Sequence, residues 1–146
     1  MALKVELKPN ERIIIGTAVI TNGDARIRFY IEGDAPILRE KDILTPATAD
    51  TPAKNIYLAL QLMYLNPDVV GHQDLYFKMV TDFLGAAPSA LSLVNDVNEL
   101  VLEGEYYKAL RAARALVAYE GELLSHAERG SELRAYGPDH AVAKRA

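Results

Sequence analysis

His72, His126 and His140 are the only imidazoles in the chain, and it contains no cysteine, so the stock of bases and soft metal ligands is small. No serine stands in a nucleophile-elbow pattern, which leaves acyl transfer without a nucleophile to point to. Glu122 and His126 lie four apart and share a helix face; the same pair reads equally well as a cation near a helix C-terminus. His72 beside Asp74 has no better claim. Gly16, Gly23 and Gly33 fall singly in separate turns, whereas a phosphate cradle needs its glycines clustered so that several backbone amides converge. The expectation is a protein that is not an enzyme, with no catalytic residues, no metal and no cofactor.

Cations beside aromatics are the more informative chemistry. Across Arg26 to Ile31 the side chains alternate, so Arg26, Arg28 and Tyr30 share one face of a strand. Guanidinium groups next to a ring can hold phosphate and stack on an unpaired base, and an ordinary solvated strand face carries the same residue types. Arg39, where a later strand ends, reads as a contact to a base edge or phosphate, or as a partner of Glu40 or Asp42. Patterning alone leaves both pairs of readings open. Tyr57, Tyr64, Tyr76, Tyr106, Tyr107 and Tyr119 all fall in helical segments; most are expected at the core or its edge, and a groove lined by such rings suits an apolar partner helix.

The elements that must position these groups follow from periodicity. Half of the 146 residues are apolar, enough for one compact core or two small subdomains sharing an interface. Leu3, Val5 and Leu7 alternate with Lys4, Glu6 and Lys8, the period-two mark of a half-buried strand ended by Pro9-Asn10. Ile13 to Ile15, Ala18 to Thr21, Ile27 to Ile31 and Pro36 to Leu38 supply the other short strands, with Asn22-Gly23 expected to make a tight hairpin turn. From Thr45 the character changes. Thr45-Pro46 and Thr51-Pro52 each suit an N-cap followed by proline at the first helical position.

Four helices are then expected. The first is apolar on nearly all sides and central; the second carries Leu75, Met79 and Phe83 as its inner stripe. The third carries Val94, Val97, Leu100 and Val101 and is capped by Gly104. The fourth, from Glu105 to about Ser125, turns Tyr106, Leu110, Ala113 and Val117 inward and Lys108, Arg111 and Arg114 outward. The fold class is α+β, a small N-terminal antiparallel β module followed by a four-helix bundle: 1–45 β module, 46–127 bundle, 128–146 mobile tail.

Charge is distributed unevenly. The formal net charge is −4, yet residues 1–48 balance seven basic against seven acidic groups, so the acidic excess lies in the helical part. A uniformly basic nucleic-acid coat is excluded, and any polyanion site is expected in the first part. Charged residues interrupt every apolar run well short of a membrane span, and the N-terminal stretch from Lys4 to Arg12 lacks the apolar core of a signal peptide. With no cysteine, the reading is a soluble cytoplasmic protein.

Four blocks carry a family likeness: LKVELKPNERIIIGTAVITNGD, IEGDAPILREKDIL, TPAKNIYLALQLMYL and EGEYYKALRAARALVAYE, in that order. From about Leu3 to Leu124 the chain resembles the FlbT family of flagellin-synthesis regulators; Asn10 stands where that family more usually has glycine. The resemblance implies a post-transcriptional regulator of flagellum biogenesis that associates with the 5′ untranslated leader of flagellin mRNA, represses its translation and promotes its degradation. It also implies the small helical partner FlaF. A fainter likeness lies inside the first: NERIIIG, IRFYI and DAPILREKDI are similar to the small RNA-binding regulator CsrA, whose proteins are strand-swapped β dimers. That likeness implies a homodimer in which Arg39 of the Arg39-Glu40 pair is a principal RNA contact, with Val5 and Lys8 on the first-strand side. The chain departs from CsrA in having Glu6, Leu7 and Lys8 where adjacent basic residues end the first strand.

Taken together, the expected RNA-binding residues are Arg39, Arg26, Arg28, Lys4, Val5, Lys8 and Tyr30. The expected protein-interaction residues are Tyr57, Tyr64, Tyr76, Tyr106 and Tyr107. The rival reading is a flagellin-binding adaptor or secretion chaperone that works with FlaF and affects mRNA indirectly.

Overall fold

The computed structural model describes residues 2–68 and 70–135, with side chains described through Ala127. Five strands precede four helices, the α+β arrangement expected. Strand β1 (Ala2–Leu7) pairs antiparallel with β4 (Ile27–Glu32), setting Leu3 opposite Ile31, Val5 opposite Phe29 and Leu7 opposite Ile27. Strand β2 (Arg12–Ile15) lies between β3 (Ala18–Thr21) and β5 (Ile37–Arg39), antiparallel to both.

The run Ile13-Ile14-Ile15 is unbroken because β2 is covered on both faces. Ile13 is fully buried with Val5 and Leu7 in a small core completed by Ile15, Phe29, Ile31 and Ile37. Ile14 and Leu38, opposite one another in the ladder, turn the other way into the helical core. The β3-β2-β5 sheet is therefore the middle layer, with the β1-β4 ribbon on one side and the helices on the other.

The Asn22-Gly23 hairpin does not form: β3 and β4 are consecutive in sequence but belong to different sheets. The Asn22 side chain is spent elsewhere. Its Nδ2 donates to the carbonyls of Leu7 (3.2 Å), Lys8 (2.8 Å) and Ala25 (2.9 Å), while the amide of Asn10 donates to the carbonyl of Gly23 (2.9 Å). The two turns clamp each other and route β4 back to β1. Asn10, at φ 65°, holds the left-handed geometry that glycine and asparagine tolerate best.

Helix α1 (Pro52–Leu65) starts as expected: Thr51 is extended and its hydroxyl accepts from the Lys54 amide at 3.3 Å. Thr45-Pro46 opens no helix; it forms a single turn closed by hydrogen bonds between Thr45 and Thr48. The reason is Pro52, which forces Thr51 into extended backbone and so bars a helix from passing through it. Helix α1 is central, with Ile56, Ala59, Leu60 and Met63 buried.

Helix α2 (His72–Ala86) buries Phe83 as expected, together with Tyr76 and Val80, which take the places expected for Leu75 and Met79; those two lie at the core edge. Tyr76 takes the centre because its hydroxyl has a partner there, Asn98 Oδ1 at 2.5 Å, on α3 (Leu91–Leu102). Gly104, at φ 77°, ends α3 as expected. Helix α4 (Tyr106–Ala135) runs well past Ser125, since Glu, Arg, Leu and Ala dominate its extension and the lone Gly130 costs only about 1 kcal/mol. The part of the expected tail up to Ala135 is thus helical, and 136–146 lie outside the described residues. Among the described residues, no helix is long and apolar enough to cross a membrane.

Candidate functional site

A polar seam on α1 fixes the β module against the bundle. Tyr57, Gln61 and Tyr64 recur at helical spacing and each bonds the backbone of the 37–44 segment. The Tyr57 hydroxyl donates to the Asp42 carbonyl at 2.6 Å. Gln61 clamps both backbone groups of Leu44, accepting from its amide and donating to its carbonyl, each at 2.9 Å. The Tyr64 hydroxyl accepts from the Ile37 amide at 3.0 Å and donates to the Ile37 carbonyl at 3.4 Å. Such paired bonds leave the segment little freedom to slide along the helix.

Beside this seam, β5 and α4 enclose a cleft of about 510 Å³. Its lining includes Arg39 from β5, Lys41 and Asp42 from the 3-10 turn Glu40–Asp42, Tyr64 from α1, and Tyr107, Arg111 and Arg114 from α4. Four cations face one carboxylate. The carboxylate is taken: Asp42 pairs with Arg114. Glu40 is engaged at 3.5 Å by Arg12. Among the described residues Arg39, Lys41 and Arg111 have no ion pair. Of the two readings of Arg39, pairing with Glu40 or Asp42 is therefore not what the structure shows.

The tyrosines in the cleft are held in different ways. Tyr64 is anchored through its hydroxyl, while Tyr107 is 39 % exposed and lies 5.2 Å from Tyr64, centroid to centroid, tilted by 45°. The Arg111 guanidinium sits 5.9 Å from the Tyr107 ring centre, within cation–π range.

A second cationic surface lies on the outer face of the β1-β4 ribbon. Lys4 faces Tyr30 across the ladder and Glu6 faces Arg28. Glu6 is the common partner of Arg28 (3.5 Å), Arg26 (4.0 Å) and Lys4 (4.0 Å), all with side chains more than half exposed. Expected site residues thus fall in separate places. Arg26, Arg28, Lys4 and Tyr30 share the ribbon face, and Arg39 belongs to the cleft. Lys8 stands apart, on a shallow depression with Asn10, Glu11 and Glu40.

Two groups of expectations need correction. Val5 is fully buried in the small core, so it cannot contact RNA from this chain's surface. Tyr57 and Tyr76 are 5 % and 0 % exposed. Burial pushes both phenols above their ordinary pKa, in Tyr57 against the lowering pull of Arg114. Both are structural, their hydroxyls bonded within the fold. Tyr106 is half-buried at the bundle edge, its hydroxyl accepting from Gln73 at 3.3 Å. Lys41, Arg111 and Arg114 were not expected at the site. Tyr107, Arg111 and Arg114 do recur at helical spacing on one stripe, and that signal is present in the sequence.

The chain matches the family model described as "Flagellar protein FlbT" over residues 3–124. It is 55 % identical over 124 residues, 84 % of this chain and 85 % of the relative, to a probable flagellum biosynthesis repressor protein, FlbT 1, of Bradyrhizobium diazoefficiens. A probable flagellum biosynthesis repressor protein FlbT of Rhodopseudomonas palustris is 54 % identical over 86 % of this chain and 99 % of its own length. The flagellum biosynthesis repressor protein FlbT of Caulobacter vibrioides is 39 % identical over 89 % of this chain and 94 % of its own. No solved structure matches the chain.

Proposed function

Since the chain belongs to the FlbT family of flagellar proteins and its relatives are named as repressors of flagellum biosynthesis, we propose that it is a cytoplasmic post-transcriptional repressor that binds the 5′ untranslated leader of flagellin mRNA. Binding would act by occlusion: a covered leader is withheld from the ribosome and left to nucleases, and the protein itself performs no bond chemistry. The observation that carries this reading is Arg39, half-buried at the rim of a concave surface with both nearby carboxylates engaged by other arginines. A guanidinium without a counter-charge is suited to a bidentate contact with phosphate or a base edge. The helices are left for a protein partner such as FlaF, for which the exposed Phe77 of α2 and Leu91 and Leu102 of α3 offer apolar contact.

The test is a gel-shift series with the leader RNA at several salt concentrations, comparing the parent protein with Arg39→Ala. The expected loss is about tenfold in affinity. Unchanged binding removes Arg39 from the site. Calorimetric titration with flagellin alongside the leader separates the adaptor alternative, since tight flagellin binding with no RNA binding reverses the order of the two readings.

A further inference from the structure

The cleft has two walls from distant parts of the chain, and only one belongs to the β module. Arg39 and Lys41 come from β5 and the turn after it; Tyr107, Arg111 and Arg114 come from α4. We propose that this cleft is a composite site for single-stranded RNA, in which Arg39, Lys41 and Arg111 hold phosphates and the Tyr107 ring stacks on one unpaired base. It deepens the leader-binding reading, on which it rests for the identity of the transcript, and it assigns helix α4 a direct part in the contact.

The chemistry selects this ligand class. Three cations with no carboxylate partner among the described residues create a local positive field in a protein that is acidic overall, and a concave surface focuses that field better than a flat one. Inorganic phosphate alone would make no use of the rings. Tyr107 is 39 % exposed beside an immobilised Tyr64, its hydroxyl has no hydrogen bond among the described residues, and its ring lines the cleft. Such a ring presents an amphipathic plane at low entropic cost. A base in a duplex has both faces covered by its neighbours, so a stacking platform of this kind selects unpaired strands. At about 510 Å³ the cleft lies within the ordinary range of small-ligand sites, about 300–1,000 Å³, so it takes a short piece of the strand and leaves the flanks outside.

The second wall depends on the seam. Tyr64 tethers the Ile37 backbone to α1 and Arg114 tethers Asp42 to α4, so the β wall and the helical wall are held in fixed relation. Arg114 is occupied in that bridge. Arg111, which has no ion pair among the described residues, lies over the Tyr107 ring, 5.9 Å from its centre.

Fluorescence anisotropy with the full chain tests the assignment. The probes are the flagellin leader segment, a scrambled strand of the same length, and a strand carrying abasic positions. For Arg111→Gln the slope of log affinity against log salt is expected to fall by about 0.7, one phosphate contact on a single strand. Tyr107→Leu is expected to leave that slope alone and to lower affinity for the base-bearing strands about tenfold. It should not affect the abasic strand, and Tyr107→Phe should retain binding. Circular dichroism and thermal unfolding show whether each variant is folded, and the abasic control separates lost stacking from a merely structural effect.

If the leader binds and both variants match the parent, the composite site is wrong while leader binding stands. If strands bind through Arg111 and Tyr107 with no preference for the leader over the scrambled sequence, the site stands and the leader reading falls. Absence of any strand binding overturns both.

Discussion

The cleft and the ribbon face carry similar chemistry and differ in how it is arranged. Each gathers several cations around one carboxylate beside tyrosine, Asp42 in the cleft and Glu6 on the ribbon. On the ribbon, Glu6 lies within 4.0 Å of all three cations, and every group involved is about half exposed or more, so water and salt screen the field and the carboxylate partly cancels it. In the cleft, one cation takes the carboxylate and the other three are left over. A tally of charged residues cannot tell these surfaces apart. Pairing and concavity can.

The largest effect is expected where that arrangement is held in place. Gln61 is 5 % exposed and makes two bonds to Leu44; Gln61→Leu keeps the apolar volume and leaves both backbone groups without a partner. Chemical denaturation should show a loss of about 3 kcal/mol. If the site is the cleft, the folded fraction of this variant should also bind RNA more weakly, because the segment carrying Arg39 and Lys41 is no longer pinned to the helices. If the site is the ribbon, stability falls and RNA affinity of the folded fraction does not.

An intermediate effect of opposite sign is expected from Asp42→Asn. The side-chain charge opposite Arg114 disappears, while the asparagine Oδ1 can still accept from Arg114 and the residue 42 carbonyl still accepts from Tyr57, so the turn keeps its anchors to α4 and α1. The cleft then has a fourth unpaired cation. Strand affinity at low salt should rise about fivefold and the gain should shrink as salt is added, since the new contact is electrostatic. No change at low salt would mean that the bound strand never comes near Arg114.

Local features of this arrangement were legible in the sequence, and distant ones were not. Alternation in β1 and β4 places Lys4, Arg28 and Tyr30 outward because a strand has only two faces. The apolar run Ile13 to Ile15 marks a strand, and Thr51-Pro52 marks where α1 begins. Arg39 was visible as the cation ending a strand. Its neighbours in the cleft were not, because Asp42 and Arg114 meet across 72 positions and no period in the sequence carries that information. The missing β3-β4 hairpin has a similar cause. Asn22-Gly23 fits a tight turn, but the Asn22 amide finds the carbonyls of Leu7 and Lys8 in another segment besides that of Ala25, and a tertiary contact overrides the local preference. Tyr76 shows the same limit, since the partner of its buried hydroxyl, Asn98, lies on another helix.

The smallest effect is expected on the ribbon, and it sharpens the contrast most. Glu6→Gln removes the carboxylate shared by Lys4, Arg26 and Arg28 and leaves the strand's backbone pairing untouched. Exposed pairs at 3.5 to 4.0 Å are worth little, so thermal unfolding should change by no more than about 0.5 kcal/mol in either direction. The consequence for RNA divides the two surfaces. A strand lying on the ribbon would meet three newly unopposed cations and bind severalfold tighter, with a steeper salt dependence. A strand seated in the cleft gains only a diffuse long-range attraction, less than about twofold at 0.15 M salt, where the Debye length is about 8 Å. A small response to Glu6→Gln together with a clear one to Asp42→Asn assigns binding to the concave surface, and the reverse pattern assigns it to the flat one.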